Sequence, residues 1–404
     1  MKILMLGWEL PPHNSGGLGT ACYQLCKALS KKVDIEFILP YEADHGIDFM
    51  KVSAASNQDV ETFLLSGNAY DSSYYEKWAK LKQSNLDGLN LYDQVNLYES
   101  AVLQMVEGKE YDVVHAHDWL TFKAALRVKA SKKWPIILHV HSVESDRSGT
   151  KNGNPLAMEI ESIGLTMADR IIAVSEHTKR CIHEDYGIPL DKIEVVHNSI
   201  DFMEIEPLDP DNSYKYLNFM QSLGYRVVVS IGRLTIQKGL PNLLQAAKKV
   251  IDKYPKTLFL IVGSGEQYFE LIDLAANLGI GANVLFADFQ RGKKWRDAFS
   301  VGDLFVMPSV SEPFGITPLE SISYGTPALI SKQSGVSEVL NNCLKVDFWD
   351  IDEMANQIAN VMQSDALRDV LYKNSFNEVQ KLSWSNSGEK IMNIYNAHTQ
   401  KVAA

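Results

Sequence analysis

The 404-residue chain has no long hydrophobic run. Nothing in it approaches the roughly 18 consecutive apolar residues of a membrane-spanning helix. The opening Met1-Lys2-Ile3-Leu4-Met5-Leu6-Gly7 is too short for the apolar stretch and cleavage site of a secretory leader, and it reads as a first strand. Cysteine is scarce, and Cys22, Cys26, Cys181 and Cys343 form neither a C-x-x-C pair nor an even framework. Cys22 and Cys26 are spaced for one helix face, where buried thiols are the default. A reducing compartment is therefore expected, with the cytoplasm as the default location. Basic residues are in the minority, 39 Lys and Arg against 50 Asp and Glu, for a net charge of −11. That balance argues against a nucleic-acid partner and gives no support to adsorption on anionic lipid.

The hydrophobic content of 46% and charged content of 22% describe a globular protein. A chain of this length exceeds one ordinary core, so two domains are expected. In the second half, short β-branched runs alternate with amphipathic patterns. Strands are expected at 226–232, 258–263, 283–287, 303–307 and 327–331, with helices at 240–254, 266–278, 295–301 and 318–324. Such alternation implies a parallel, doubly wound sheet. The first half repeats the pattern with strands at 2–8, 33–39, 112–116, 136–140, 170–175 and 193–197. Between Tyr41 and Gly108 the alternation gives way to a polar, aromatic-rich stretch that includes Tyr70, Tyr74, Tyr75 and Trp78. A long irregular segment in a compact domain is often functional, so this one is read as an acceptor-side lid or recognition region. Asp201–Asn212, with Pro207 and Pro210 among acids, reads as a linker. The domains are accordingly placed at 1–205 and 206–376. A C-terminal helix at 377–404, with Trp384, Ile391, Ile394 and Tyr395 as its apolar stripe, is expected to pack back on the first domain.

The most informative segment is Ser311-Glu312-Pro313-Phe314-Gly315-Ile316-Thr317-Pro318-Leu319-Glu320. It follows a predicted buried strand, and ligands of open α/β sheets bind beyond the carboxyl ends of strands. A helix opening there offers free N–H groups to an anion. Two acids flanking such an end suit a ligand with both phosphate and many hydroxyls, as a nucleotide sugar has. Thr317 as N-cap, Pro318 and Glu320 also match a capping box, so Glu320 reads equally well as a structural residue.

Other groups fall on the same predicted rim. In Gly232-Arg233-Leu234-Thr235-Ile236-Gln237-Lys238-Gly239, Arg233 can fork onto phosphate oxygens and Lys238 adds a point charge. In Asn14-Ser15-Gly16-Gly17-Leu18-Gly19 the glycines let the backbone approach a phosphate, although a plain strand-to-helix turn explains them about as well. His115 and His117, and His139 and His141, form two H-x-H pairs that each place both rings on one strand face. With Asp118 and Glu144 they would offer ligands to a metal, but no complete ligand set has recognisable spacing, and no metal is expected. His141, at a strand end before the polar loop Glu144–Asn154, is the histidine expected to project into the cleft.

Together these motifs resemble the retaining glycosyltransferases of family four, which have the GT-B fold, and among them the glycogen and starch synthases. The resemblance covers nearly the whole chain. It rests on Gly16-Gly17-Leu18-Gly19, Val114-His115-Ala116-His117-Asp118-Trp119, His139-Val140-His141-Ser142 with Arg147-Ser148-Gly149, Arg233 with Lys238-Gly239, and Glu312-Pro313-Phe314-Gly315 with Glu320. It implies an α/β architecture of two Rossmann-like, doubly wound domains facing a central cleft. It implies that Arg233 and Lys238 hold the donor diphosphate and that Glu320 contacts the ribose. Glu312 and the Phe314–Ile316 backbone would hold sugar hydroxyls, with Thr317 opening the helix beside them. Gly16 and Gly17 would approach the phosphates from the other domain, and His141 would lie beside the transferred sugar. Bacterial glycogen synthases carry a lysine where this chain has Ser15, and this chain is shorter, so donor base and acceptor stay open.

The expected activity is a retaining, metal-independent hexosyl transfer. The donor would be a UDP- or ADP-sugar, with glucose the expected hexose, and the acceptor a saccharide, an α-glucan among the candidates. No cofactor beyond the donor substrate is expected. Two other enzyme classes compete: a GT-B sugar-nucleotide 2-epimerase, and a metal-dependent hydrolase built on the histidine pairs. A non-enzymatic sugar-binding protein fits least well, since it needs no diphosphate clamp.

Overall fold

A computed structural model of the protein describes residues 1–14, 16–56, 91–202 and 205–399. The chain divides into two compact units. The first is Met1–Ser199 joined by the segment from Trp384, and the second is Ile200–Ser383. Residues 57–90 of the aromatic-rich stretch, including Tyr70, Tyr74, Tyr75 and Trp78, lie outside the described residues, as does Ser15.

In the first unit the strands are β1 (Lys2–Leu6), β2 (Asp34–Leu39), β3 (Lys51–Ala54), β4 (Val113–His117), β5 (Ile136–Val140), β6 (Arg170–Ala173) and β7 (Ile193–Val195). They pair in parallel in the order β3-β2-β1-β4-β5-β6-β7. β1, β4 and β5 are buried on almost every residue because helices cover both faces of a doubly wound sheet. The helices flanking β1 and β4 are Gly17–Leu29 and Trp119–Lys132, and helix Pro155–Met167 packs on the latter. Helix Leu91–Met105 lies inside the stretch that sequence patterning left irregular. The C-terminal helix is Trp384–Thr399, and it packs along helix Gly17–Leu29. Its stripe of Trp384, Ile391, Ile394 and Tyr395 is buried, and Ser387 donates to the His197 carbonyl. Helical pattern runs on to Val379 in a separate helix, Asp365–Val379, of the second unit; a turn at 380–383 then breaks it, so the returning helix starts at 384 instead of 377.

The second unit holds β8 (Arg226–Ile231), β9 (Thr257–Val262), β10 (Val284–Ala287), β11 (Leu304–Met307), β12 (Ala328–Ser331) and β13 (Leu344–Val346). All pairs are parallel, in the order β10-β9-β8-β11-β12-β13. Helix Leu240–Lys253 shows why the sheet is covered: Leu240, Leu243, Leu244, Ala247, Val250 and Ile251 recur at helical spacing and all are buried. Each Leu, Val or Ile so buried contributes about 1.5–3 kcal/mol. The start of the unit is pinned where Ser213 and Asn212 hydrogen-bond to Asp297.

Both sheets reverse direction of growth beside their first strand. In the first unit this occurs between β1 and β4, and in the second between β8 and β11. Such a switch point leaves a crevice at the carboxyl ends of the two strands, because the crossovers leave it on opposite faces.

Candidate active site

At the second unit's switch point, β8 leads into the loop carrying Arg233 and Lys238, and β11 leads into the loop carrying Glu312. The two loops are stitched together. Gly239 has φ +63°, and a Cβ there would lie 2.1 Å from the Pro308 carbonyl oxygen, so only glycine fits. Val310 N donates to the Gln237 carbonyl at 2.8 Å. Lys238 Nζ donates to Glu312 Oε2 at 2.5 Å, and Ser309 Oγ donates to the same oxygen at 3.0 Å. Arg233 Nη2 reaches the side chain of Gln237 at 3.4 Å. Behind the Arg233 loop, Gly263 and Gly265 press against Gly232 and Leu234, where a Cβ would come within 1.8 Å and 2.4 Å of backbone oxygens. The Gly263-Ser264-Gly265 turn was not singled out in the sequence. Two glycines after a strand were the signal that would have found it.

The Glu312 loop is clamped from its other side. Glu312 N donates to Gln333 O, Gly335 N to Glu312 O and Val336 N to Phe314 O. Phe314 is buried, and Gly315 takes φ +92° to turn the chain into the next helix. That helix is Thr317–Ser323 with Ile316 at the N-cap and no side-chain cap. The expected capping box of Thr317 and Glu320 is therefore absent. Thr317 is already helical, and its hydroxyl turns toward Met307 Sδ at 3.9 Å. Genuine caps elsewhere, such as Ser175 to Thr178 N at 2.9 Å, show the geometry that Thr317 lacks. The Glu320 carboxyl makes no hydrogen bond among the described residues, and burial raises its pKa from the ordinary 4.5 to about 7.

In the first unit, β1 leads to Gly16 and Gly17. A Cβ on either would meet nothing within 4 Å, whereas one on Gly19 would lie 2.5 Å from Asn14 Cβ. Gly19 is thus needed for packing, while the backbone at Gly16 and Gly17 is open to approach. β4 ends at His117 and Asp118, and β5 runs out at His141. Asp118 is buried at φ +59°, and its carboxylate accepts from His141 N at 2.6 Å and Ser142 N at 3.3 Å. The turn after His141 is held by Arg147. Its guanidinium bonds Ser142 O at 2.9 Å and pairs with Glu144 and buried Glu161. Residues Glu144–Ser148 form a short helix where a polar loop was expected, because this ion-pair cluster orders them. Asp118 was read in the sequence only as part of a motif or a metal ligand; its work as a backbone anchor depends on a positive φ that sequence does not display.

The four histidines lie on one face of β4 and β5, where His117 and His139 are paired in register. Burial lowers all four pKa values, with His115 and His141 at about 3, so the rings are neutral. Their nitrogens point at one another: His115 Nε2 to His139 Nδ1 at 3.2 Å, and His117 Nδ1 to His141 Nε2 at 2.9 Å. Donor atoms of His115, His117 and His139, and of Cys22, His117 and His141, come within 4.8 Å of one another. As they stand, the two nitrogens of each bonded pair share a single proton.

Two parallel doubly wound sheets in one chain are the α/β architecture of the GT-B fold. Residues 15–203 match the profile described as Glycosyltransferase Family 4, and residues 220–378 match Glycosyl transferases group 1. The chain belongs to the family 4 glycosyltransferases. It is 28% identical over 413 aligned residues to an uncharacterised glycosyltransferase of Methanocaldococcus jannaschii, covering 98% of each chain. It is 26% identical to the D-inositol 3-phosphate glycosyltransferase of Rhodococcus erythropolis, with 77% of this chain and 74% of that one covered. It is 25% identical to the glycogen synthase of Mycobacterium tuberculosis, covering 85% and 80%. In fold it is similar to the sucrose-phosphate synthase of Thermosynechococcus elongatus, with a TM-score of 0.76, 17% identity and full coverage of both chains. Anabaena HepE in complex with UDP and glucose gives a TM-score of 0.71 at 18% identity, covering 98% and 100%. Among the described residues no helix is long and apolar enough to cross a membrane.

Proposed function

We propose that the protein transfers a hexose, glucose in the first instance, from a nucleotide-diphosphate sugar to a saccharide acceptor with retention at the anomeric carbon and without a metal. The observation that carries this is the tie between Lys238 and Glu312 at the β8–β11 switch point, with Arg233 on the same loop. Ion pairing holds the ammonium where a diphosphate would lie, and leaves the second Glu312 oxygen for sugar hydroxyls. Glu320 accepts from the ribose, and the Phe314–Thr317 backbone lines the same ligand.

The bond from the anomeric carbon to the diphosphate oxygen breaks, and the acceptor hydroxyl attacks the same face. Its proton passes to the departing diphosphate. The main barrier is negative charge developing on that leaving group, which preformed donors at Arg233 and Lys238 stabilise without reorganisation. On the acceptor side, a cavity of about 310 Å³ runs along Tyr41–Ile47 and Val52–Ala54. Exposed Glu42 and Asp44 line it, which favours a neutral saccharide over a phosphorylated polyol.

A donor screen tests the proposal. ADP-, UDP- and GDP-sugars are supplied in excess chelator, with and without oligosaccharide, and nucleotide release and product configuration are followed. Acceptor-dependent release from a glucose donor, yielding an α-linked product, is the expected result. An epimerised donor in the absence of acceptor, or activity abolished by the chelator, would overturn it.

A further inference from the structure

A second group of metal-ligand side chains lies wholly within the first unit and shares no residue with the histidine array. Helix Glu176–Tyr186 carries His177 and Cys181 four residues apart, so both stand on the same face. Asp146, on the short helix Glu144–Ser148, meets them there. His177 Nε2 lies 3.7 Å from Asp146 Oδ1 and 3.9 Å from Cys181 Sγ. One ligand atom from each of the three falls within 4.8 Å of the other two. A nitrogen–oxygen gap of 3.7 Å is too long for a hydrogen bond but close to the edge of a coordination tetrahedron. Zinc binds nitrogen and oxygen at about 2.0 Å and sulfur at about 2.3 Å, which sets N···O at about 3.3 Å and N···S at about 3.5 Å. Both observed gaps exceed these edges by about 0.4 Å, within reach of a small side-chain rotation.

A cysteine nucleophile with a histidine base would use the same residue types in a different arrangement. Such a relay sets thiol and carboxylate on opposite ring nitrogens, whereas both here approach Nε2. The Asp146 carboxylate is held in place, because its Oδ2 accepts from Val143 N at 3.3 Å while Oδ1 faces His177. An outer-shell bond of this kind orients a ligand. The Asp146 side chain is 2% exposed and that of His177 19%, with Cys181 part-buried, so solvent reaches the group from the helix side.

We propose that Asp146, His177 and Cys181 form a zinc site, completed by a water, that clips helix Glu144–Ser148 to helix Glu176–Tyr186. A mixed nitrogen, sulfur and oxygen set favours zinc over magnesium or calcium, which take oxygen. On binding, a sulfur–zinc bond replaces the Cys181 S–H bond, and the proton leaves to solvent. The clip adds to ties already present. Ser145 Oγ donates to Asp185 Oδ2 at 2.5 Å between the same two helices, and Arg147 pairs with Glu144 and Glu161. The ion stabilises the first unit and takes no part in glycosyl transfer.

Metal titration of the full-length protein, first stripped with a chelator, tests this without reference to turnover. Cobalt(II) is added as a spectroscopic stand-in, then displaced by zinc. One equivalent is expected to give the visible bands of a tetrahedral site and a near-ultraviolet thiolate-to-cobalt band. Cys181→Ser should remove the thiolate band, and His177→Ala should weaken cobalt binding about 100-fold or more. Both positions are partly exposed, and circular dichroism checks that each variant folds. Cys22→Ser is the control, since Cys22 lies with His117 and His141 in a rival cluster, and it should keep the band. Zinc should raise the melting midpoint of wild type by several degrees and leave those of Cys181→Ser and His177→Ala unmoved. No saturable binding, or a spectrum without the thiolate band, overturns the site. A band lost in Cys22→Ser, or kept in Cys181→Ser, overturns the ligand set. Cobalt bound as expected with no rise in midpoint on adding zinc overturns the clip.

Discussion

At Gly239 the backbone lies in the left-handed region at φ +63°, and the nearest atom to a new Cβ would be the Pro308 carbonyl oxygen at 2.1 Å. Gly239→Ala thus adds a backbone penalty of about 1–2 kcal/mol to an overpacking penalty of similar size. A loss of about 2–4 kcal/mol in urea unfolding is expected, together with weaker donor binding, since Lys238 is the preceding residue and moves with it. Unchanged stability would mean that the loop does not rest on Pro308. Arg233 and Lys238 were legible as two cations of one short loop after a strand, and that loop does follow β8 at the switch point. Asp118 was not, because its anchoring of His141 depends on a backbone conformation. The histidine pairs were visible as spacing, but their partners across the strands were not.

Among elements, the buried central strands were readable from β-branched runs, while β3 and β13 were not. β3 is the half-buried edge segment Lys51–Ala54, and β13 is the three-residue edge strand Leu344–Val346; neither carries an apolar run. The helix after Glu312 was placed correctly but its cap was misread, since the Thr-Pro-x-Glu pattern sits one position inside the helix. Freed from capping, Glu320 has a pH signature. Its folded pKa of about 7 exceeds the ordinary 4.5, so the folded state keeps a proton that the unfolded chain has lost in between. The stability from that protonated form is complete below about pH 4.5 and is lost as pH rises through about 7. Glu320→Gln should therefore equal wild type in acid and gain no more than about 3 kcal/mol above pH 7 in denaturant melts. Donor affinity should move the opposite way. Ribose hydroxyls donate to the ionised carboxylate, so wild-type binding tightens from pH 6 to pH 8 by calorimetry, and the Gln variant shows a flat profile. A flat wild-type profile would remove Glu320 from the ribose.

Over the whole molecule, one rule of chain crossover operates twice. Each unit grows its sheet outward from its first strand in both directions; Gly16 and Gly17 follow β1 in the first, and Arg233, Lys238 and Glu312 follow β8 and β11 in the second. The alternation of strands and helices made the doubly wound class legible without any motif. The contact boundary falls at Ser199, a few residues before the proline-rich linker that composition marked, because β7 and the chain just beyond it still pack in the first unit. The central claim is that Arg233 and Lys238 grip the diphosphate of a nucleotide sugar. The most direct measurement is steady-state nucleotide release by wild type, Arg233→Ala and Lys238→Ala, each shown by circular dichroism to be folded. Loss of a preformed donor to developing charge costs about 3–4 kcal/mol, so each variant should lose about 10²–10³-fold in kcat. Near-normal turnover in both variants would contradict it.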